Sequence, residues 1–204
     1  MKVSIAIAGP AAAVLAAGVL PGGVSNAEAP KAAAEWTADG KLVFPKDYRT
    51  WVFLSSGVDM SYSEQAMAAA AGNHVFDNVF VDRAAHAHFE KTGTWPEGAV
   101  FVLEIRRGAG QGSINKAGQF QTRRLAVEVH VKDKRFASGW AFFNFRGETP
   151  AAAFGQTSAC NRCHEQHGAV DTTFVQFYPT LLPIAREKKT LSEAYLAAEK
   201  VAVK

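Results

Sequence analysis

The sequence holds only two cysteines, and they stand three residues apart. A pair so close excludes the multi-bridge framework of a small secreted domain. One bridge across so short a loop would constrain little of the unfolded chain. A structural zinc site lacks its second cysteine pair, and a thioredoxin-like dithiol lacks its βαβ context. No Lys/Arg run exceeds two residues and the net charge is only +3, so nothing argues for a nucleic-acid partner. After residue 27 no segment reaches the ~20 apolar residues of a membrane span. There is no internal repeat.

Charge is also scarce at the start, where Lys2 is the only charged residue before Glu28. Between them runs an Ala/Val/Leu/Gly stretch, broken by Pro10 and Pro21 and ending in Ser25-Asn26-Ala27. Small residues stand at both positions a signal peptidase reads, so residues 1–27 are expected to be a cleaved secretory signal, with the mature chain exported to the periplasm. Residues 28–43, mostly Ala, Lys, Glu and Gly, read as a leader or linker. Residues 44–185 are expected to form one domain and 186–204 a C-terminal helical tail.

What the chain has in quantity is short runs rich in Val, Phe and Trp between turn residues. They are Trp51–Ser55, His74–Val81, Ala99–Ile105, Leu125–Val131 and Trp140–Phe145, each of strand length. In the fourth, Leu125, Val127, Val129 and Val131 share one face, while Ala126, Glu128, His130 and Lys132 share a more polar one. Segment 108–121, rich in Gly, Ser and Gln, reads as a hairpin loop. Asp82 can cap a helix that Gly93 stops. A second helix is expected over 62–71, and the capping-box pattern Thr190-Leu191-Ser192-Glu193 opens a third over about 191–201. The expected fold class is mainly β (α+β): an antiparallel sheet of about five strands with a few short helices, followed by a loop at 150–170.

That loop carries Cys160-Asn161-Arg162-Cys163-His164, a C-x-x-C-H pattern. Two thiols at this spacing can add to the two vinyl groups of a haem as thioethers. The next residue then lies beneath the iron, and its imidazole becomes the axial ligand. The pattern predicts one covalently attached haem c, held by Cys160 and Cys163, with His164 on the metal. The motif sits late in the chain, and no methionine follows it. Only Met60 and Met67 remain in the mature chain, and a lone His is more often a satisfied residue than a ligand. These points predict a five-coordinate iron. Phenylalanines at 53, 76, 80, 101, 142, 143 and 145 could line its open side, and Phe76 is taken as a pocket residue. Such a wall admits small neutral molecules such as NO or CO.

Four stretches together resemble the cytochrome P-460 family, which includes the cytochromes c′-beta. They are Phe44-Pro45-Lys46-Asp47-Tyr48-Arg49-Thr50-Trp51, Gly93-Thr94-Trp95-Pro96-Glu97-Gly98-Ala99-Val100, the late C-x-x-C-H, and the run from Asp171 to Pro179. The resemblance covers residues 42–180 and implies a mainly antiparallel β fold, a homodimer and a five-coordinate c-type haem. In the hydroxylamine-oxidising type of the family a lysine is cross-linked to the haem and a distal acid handles protons. In the c′-beta type the link is absent and aromatic residues cap an apolar pocket for NO or CO. Leu103 stands where the linking lysine is expected, and Glu128 where the acid is, so Leu103 is assigned to the cofactor pocket and Glu128 to a catalytic role. Three functions follow. One is binding of a small gaseous or nitrogen-oxide ligand; another is oxidation of hydroxylamine or a related compound; the third is simple electron carriage. The last two need an electron-transfer protein in the periplasm as partner.

Overall fold

A computed structural model describes residues 33–61 and 74–202. The expected signal, the expected helix over 62–71 and Met67 lie outside the described residues. Five strands form one antiparallel sheet in sequence order: β1 (Val52–Val58), β2 (Val75–Val81), β3 (Val100–Ala109), β4 (Phe120–Lys132) and β5 (Trp140–Phe145). β3 and β4 extend further toward their hairpin than residue type suggests, so the turn shrinks to residues 110–119. Among the described residues there are four α-helices: α1 (Arg83–Thr92), α2 (Ala159–His167), α3 (Leu182–Lys188) and α4 (Glu193–Ala202).

The sheet is covered on both sides. One layer gathers Leu42, Phe44, Tyr48 and Phe143 against Val100, Val102, Val127, Val129 and Val131. The other gathers Phe89, Trp95, Tyr178 and Leu181 against Val81 and Phe101. β4 therefore has no solvent face along its inner half, contrary to the alternation read from its sequence. Val127, Val129 and Val131 are buried as expected, yet His130 on the supposedly polar face is only 7% exposed. The chain after residue 158 folds back over that face.

Two boundaries also move. The expected linker is not detached at its end, because Trp36 and Leu42 bridge each other and Leu42 bridges Ala151. Leu42 is buried, and the ring of Trp36 meets Phe143 edge-on at 5.7 Å. An Ala-rich composition hid two large apolar residues that the sheet needed as cover. At the other end the cap of α4 is Ser192, whose Oγ accepts from the Tyr195 N–H. Thr190 instead donates to the Gly93 carbonyl (2.7 Å) and ties the chain to the end of α1.

Asp82 does more than cap α1. One carboxylate oxygen accepts from the Ala85 N–H (2.8 Å) and the other from the Val100 N–H (2.9 Å), pinning the helix start to the first residue of β3. Gly93 closes the helix at φ 73°, and a Cβ there would stand 2.7 Å from the Lys188 Cβ. Replacing Asp82 by Ala orphans two backbone donors beside a buried site, so we expect a loss of about 1–3 kcal/mol in urea unfolding. A loss under about 0.5 kcal/mol, the scale of an ordinary surface substitution, would mean that water replaces the carboxylate without penalty.

Candidate functional site

The C-x-x-C-H segment is a helix, α2, and not a loop. Ser158 caps it, with Oγ accepting from the Asn161 N–H at 3.3 Å. The reason lies in the spacing itself. Residues three and four apart share one face of a helix, so Cys160, Cys163 and His164 project together. Both thiols are free and half-buried.

All three face a cavity of about 500 Å³ between α2, the following segment and the inner face of the sheet. This lies within the ~300–1,000 Å³ of cofactor sites. The sheet contributes Asp77 and Val79 from β2, Phe101, Leu103 and Ile105 from β3, Glu128 and His130 from β4, and Phe142 from β5. Phe154, Phe174, Phe177 and Tyr178 close it from the far side, and Met60 reaches it past Gly57. Leu103 and Glu128 pair across β3 and β4, so they stand side by side on the cavity wall. Phe76 does not belong there. It alternates with Asp77 and shares the opposite face of β2 with Asn78 and Phe80, which line a separate recess. Of the seven phenylalanines considered, Phe145 packs on Phe44 and Phe53 on Phe80, away from the cavity.

The ring of His164 is fixed from several directions. Its Nδ1 lies 2.7 Å from the Thr172 carbonyl. A carbonyl can only accept, so Nδ1 carries the proton and Nε2 keeps a free lone pair, the tautomer a metal ligand requires. Phe174 and Phe142 pack against the imidazole at 4.2 and 4.6 Å between ring centres. Burial pushes its pKa down to about 4, although the Thr172 bond pulls the other way, so the ring is neutral at physiological pH. Thr172 presents its carbonyl from a left-handed backbone (φ 60°), as does Asp171 before it (φ 47°). That turn is itself held: Asp171 accepts from Lys132 Nζ (3.0 Å) and from the Trp95 N–H (3.2 Å), and the Trp95 indole donates to Thr173 (2.8 Å).

Three polar groups on the sheet wall have raised or missing partnerships. Burial raises the pKa of Glu128, opposed by a bond from the Asn144 amide (3.1 Å). Asp77 is pushed up to about 6 by burial, then by the charges of Glu128 and Asp59. His130 stacks on Phe142 at 4.0 Å and lies 4.8 Å from His164; burial keeps it neutral, and its Nε2 has no partner among the described residues. An orphaned buried nitrogen, a neutral imidazole with a free Nε2 and two thiols on one helix face fit a haem, which Cys160, Cys163 and His164 would hold. Sequence reading missed Asp77 and His130, because a single polar residue in a strand run gives no sign of what will cover it.

Two carboxyl groups, those of Asp77 and Glu128, line the cavity, and no lysine does among the described residues. The chain matches none of the curated proteins compared with it. A family model, that of cytochrome P460, matches residues 45–175.

Proposed function

Since the chain belongs to the cytochrome P460 family, we propose that it is an exported mono-haem c-type protein that binds a small neutral ligand such as NO or CO. Cys160 and Cys163 hold the haem by thioethers and His164 holds its iron. The bond from His164 Nδ1 to the Thr172 carbonyl carries this reading, since it leaves Nε2 as the only ligating nitrogen of that ring. A haem iron on one imidazole supplies an open coordination position and a one-electron couple. The protein's part is to fix that imidazole, to keep water out with Phe101, Phe142, Phe174 and Phe177, and to line the cavity without lysine or arginine among the described residues.

Leu103 on the cavity wall favours this reading over the cross-linked oxidase type, because its side chain offers no nitrogen to join to the ring. Glu128 and Asp77 favour the alternative, oxidation of a small nitrogen compound, since two buried carboxylates could take up protons as electrons leave. That route passes its electrons to a periplasmic electron-transfer protein.

The optical spectrum of the purified protein, ferric and dithionite-reduced, with and without NO, separates these. We expect high-spin ferric iron, an ordinary c-type reduced spectrum and a clear change on adding NO. A strongly red-shifted reduced Soret band would replace the proposal with the cross-linked oxidase. Low-spin ferric iron would assign the sixth position to a side chain, and Met60 is on the cavity wall to provide it.

A further inference from the structure

Asp77 and Glu128 reach one cavity from different strands. Asp77 pairs with Ile105 on β3, and Glu128 pairs with Leu103, one pleat further along and one strand over. Sheet spacing puts their Cα atoms roughly 12 Å apart, with the apolar side chains of Leu103 and Ile105 between them. Asn144 donates to Glu128, but Asp77 has no hydrogen-bond partner among the described residues. No lysine or arginine lines the cavity among those residues either. The groups facing Asp77 from the neighbouring elements add no positive charge: Gly57 on β1, Ile105 on β3 and Glu128 on β4. Asp59, beyond the end of β1, is the next carboxylate, and it is paired with His74 at 2.6 Å. Arg107, two residues beyond Ile105, does not line the cavity.

Carboxylates alone would not mark a ligand site, but a third group on the same wall does. His130 is more than nine-tenths buried and lines the cavity two residues from Glu128, and its Nε2 is unpartnered. An imidazole nitrogen taken out of water with nothing to bond is costly unless an occupant of the cavity meets it. The wall is thus largely apolar but carries three polar groups toward its occupant, two of them carboxylic acids and none of them lysine or arginine.

We propose that Asp77 and Glu128 form a charge filter on the iron-facing cavity, which admits neutral or cationic small molecules and repels anions, with Asp77 as a specificity-determining residue. The proposal rests on the haem reading above. Carboxylates in an enclosed, weakly screened cavity act on an incoming charge far more strongly than they would in water. A diatomic gas does not feel them; azide and other small anions do. Burial favours the protonated form of Asp77, whose pKa lies at about 6, so its share of the filter is present above that pH and fades below it.

The test is azide binding to the ferric holoprotein, followed by optical titration at pH 7.5, in the wild type, Asp77→Asn and Glu128→Gln. Carbon monoxide binding to the ferrous wild type, across the same pH range, serves as the uncharged control. We expect azide to bind about tenfold tighter in each variant, the scale of one removed charge at partial screening. Azide affinity of the wild type should also rise as pH falls through 6, beyond azide's own protonation, and Asp77→Asn should lose that rise. CO affinity of the wild type should stay constant over the same pH range, because an uncharged ligand does not sense the carboxylates. Unchanged azide affinity in both variants, with CO binding intact, overturns the filter alone. A wild type that carries no covalent haem, or binds no CO, overturns the haem reading and the filter with it.

Discussion

Replacing both Cys160 and Cys163 by alanine should leave a protein from which acid-acetone extracts all the haem, whereas the wild type should keep it. The thiols stand on one face of α2 and line the cavity with His164, so the motif is already arranged for double attachment. A haem held only by the iron–imidazole bond and apolar contact dissociates when acid protonates the imidazole, and a thioether does not. Each single variant should retain a haem with one remaining vinyl group, visible as an α-band shifted relative to the wild type. Extraction of haem from the wild type would remove covalent attachment. Haem surviving extraction in the double variant would place the link on another side chain.

The second large effect lies on the far side of the sheet. Glu104 is only 3% exposed and is held by Tyr48, Arg49 and Arg106, with the Asn78 amide at 3.4 Å. Burial alone would raise its pKa, but the donors from Tyr48, Arg106 and Arg49 outweigh it and leave the carboxyl below its ordinary value. Glu104→Ala removes the acceptor and strands three donors, so we expect a loss of about 3 kcal/mol, the lower range for breaking a buried charged cluster. For a domain of this size that is a fall in Tm of roughly 6–12 °C, read by circular dichroism. The sign with pH follows from the depressed pKa. Glu104 stabilises fully above its unfolded value near 4.5, and that contribution disappears as pH drops through the lower folded value. Glu104→Gln should therefore flatten the acid side of the stability profile. A Tm within a degree of wild type for Glu104→Ala would show the cluster to be neutral in balance.

The same cluster explains a part of the sequence whose order was legible before its purpose was. Tyr48 and Arg49 lie in the first of the four stretches that carry the resemblance, and Trp95 lies in the second. Tyr48 donates a hydrogen bond to Glu104 and Arg49 pairs with its charge. Trp95 bonds Asp171 and Thr173 in the fourth stretch, and so holds the turn that orients His164. All five strands were readable from runs of Val, Phe and Trp, and α1 from Asp82 and Gly93, because those signals are local. What stayed hidden depends on cover. Alternation along β4 pointed to one wet face, but the returning chain after residue 158 dries it. The helical state of α2 was masked by the Gly and Pro before it. Phe76 was misplaced for want of the register that separates it from Asp77. Asp77, Glu104 and His130 look like ordinary strand polar residues until the layers on either side close.

The strand order has a consequence for how the protein is assembled. Each of the five strands pairs only with its neighbour in sequence, and none of these pairings uses a residue after Phe145. Neighbour-only pairing keeps loop closures short and folding fast. A chain emerging from its N-terminal side can therefore lay down the whole meander while the residues after Phe145 are still to come. Cys160 and Cys163 arrive after the sheet, onto a scaffold whose wall of Leu103, Glu128 and Phe142 is already in place, and a cofactor joined to them would tie the returning segment to that wall.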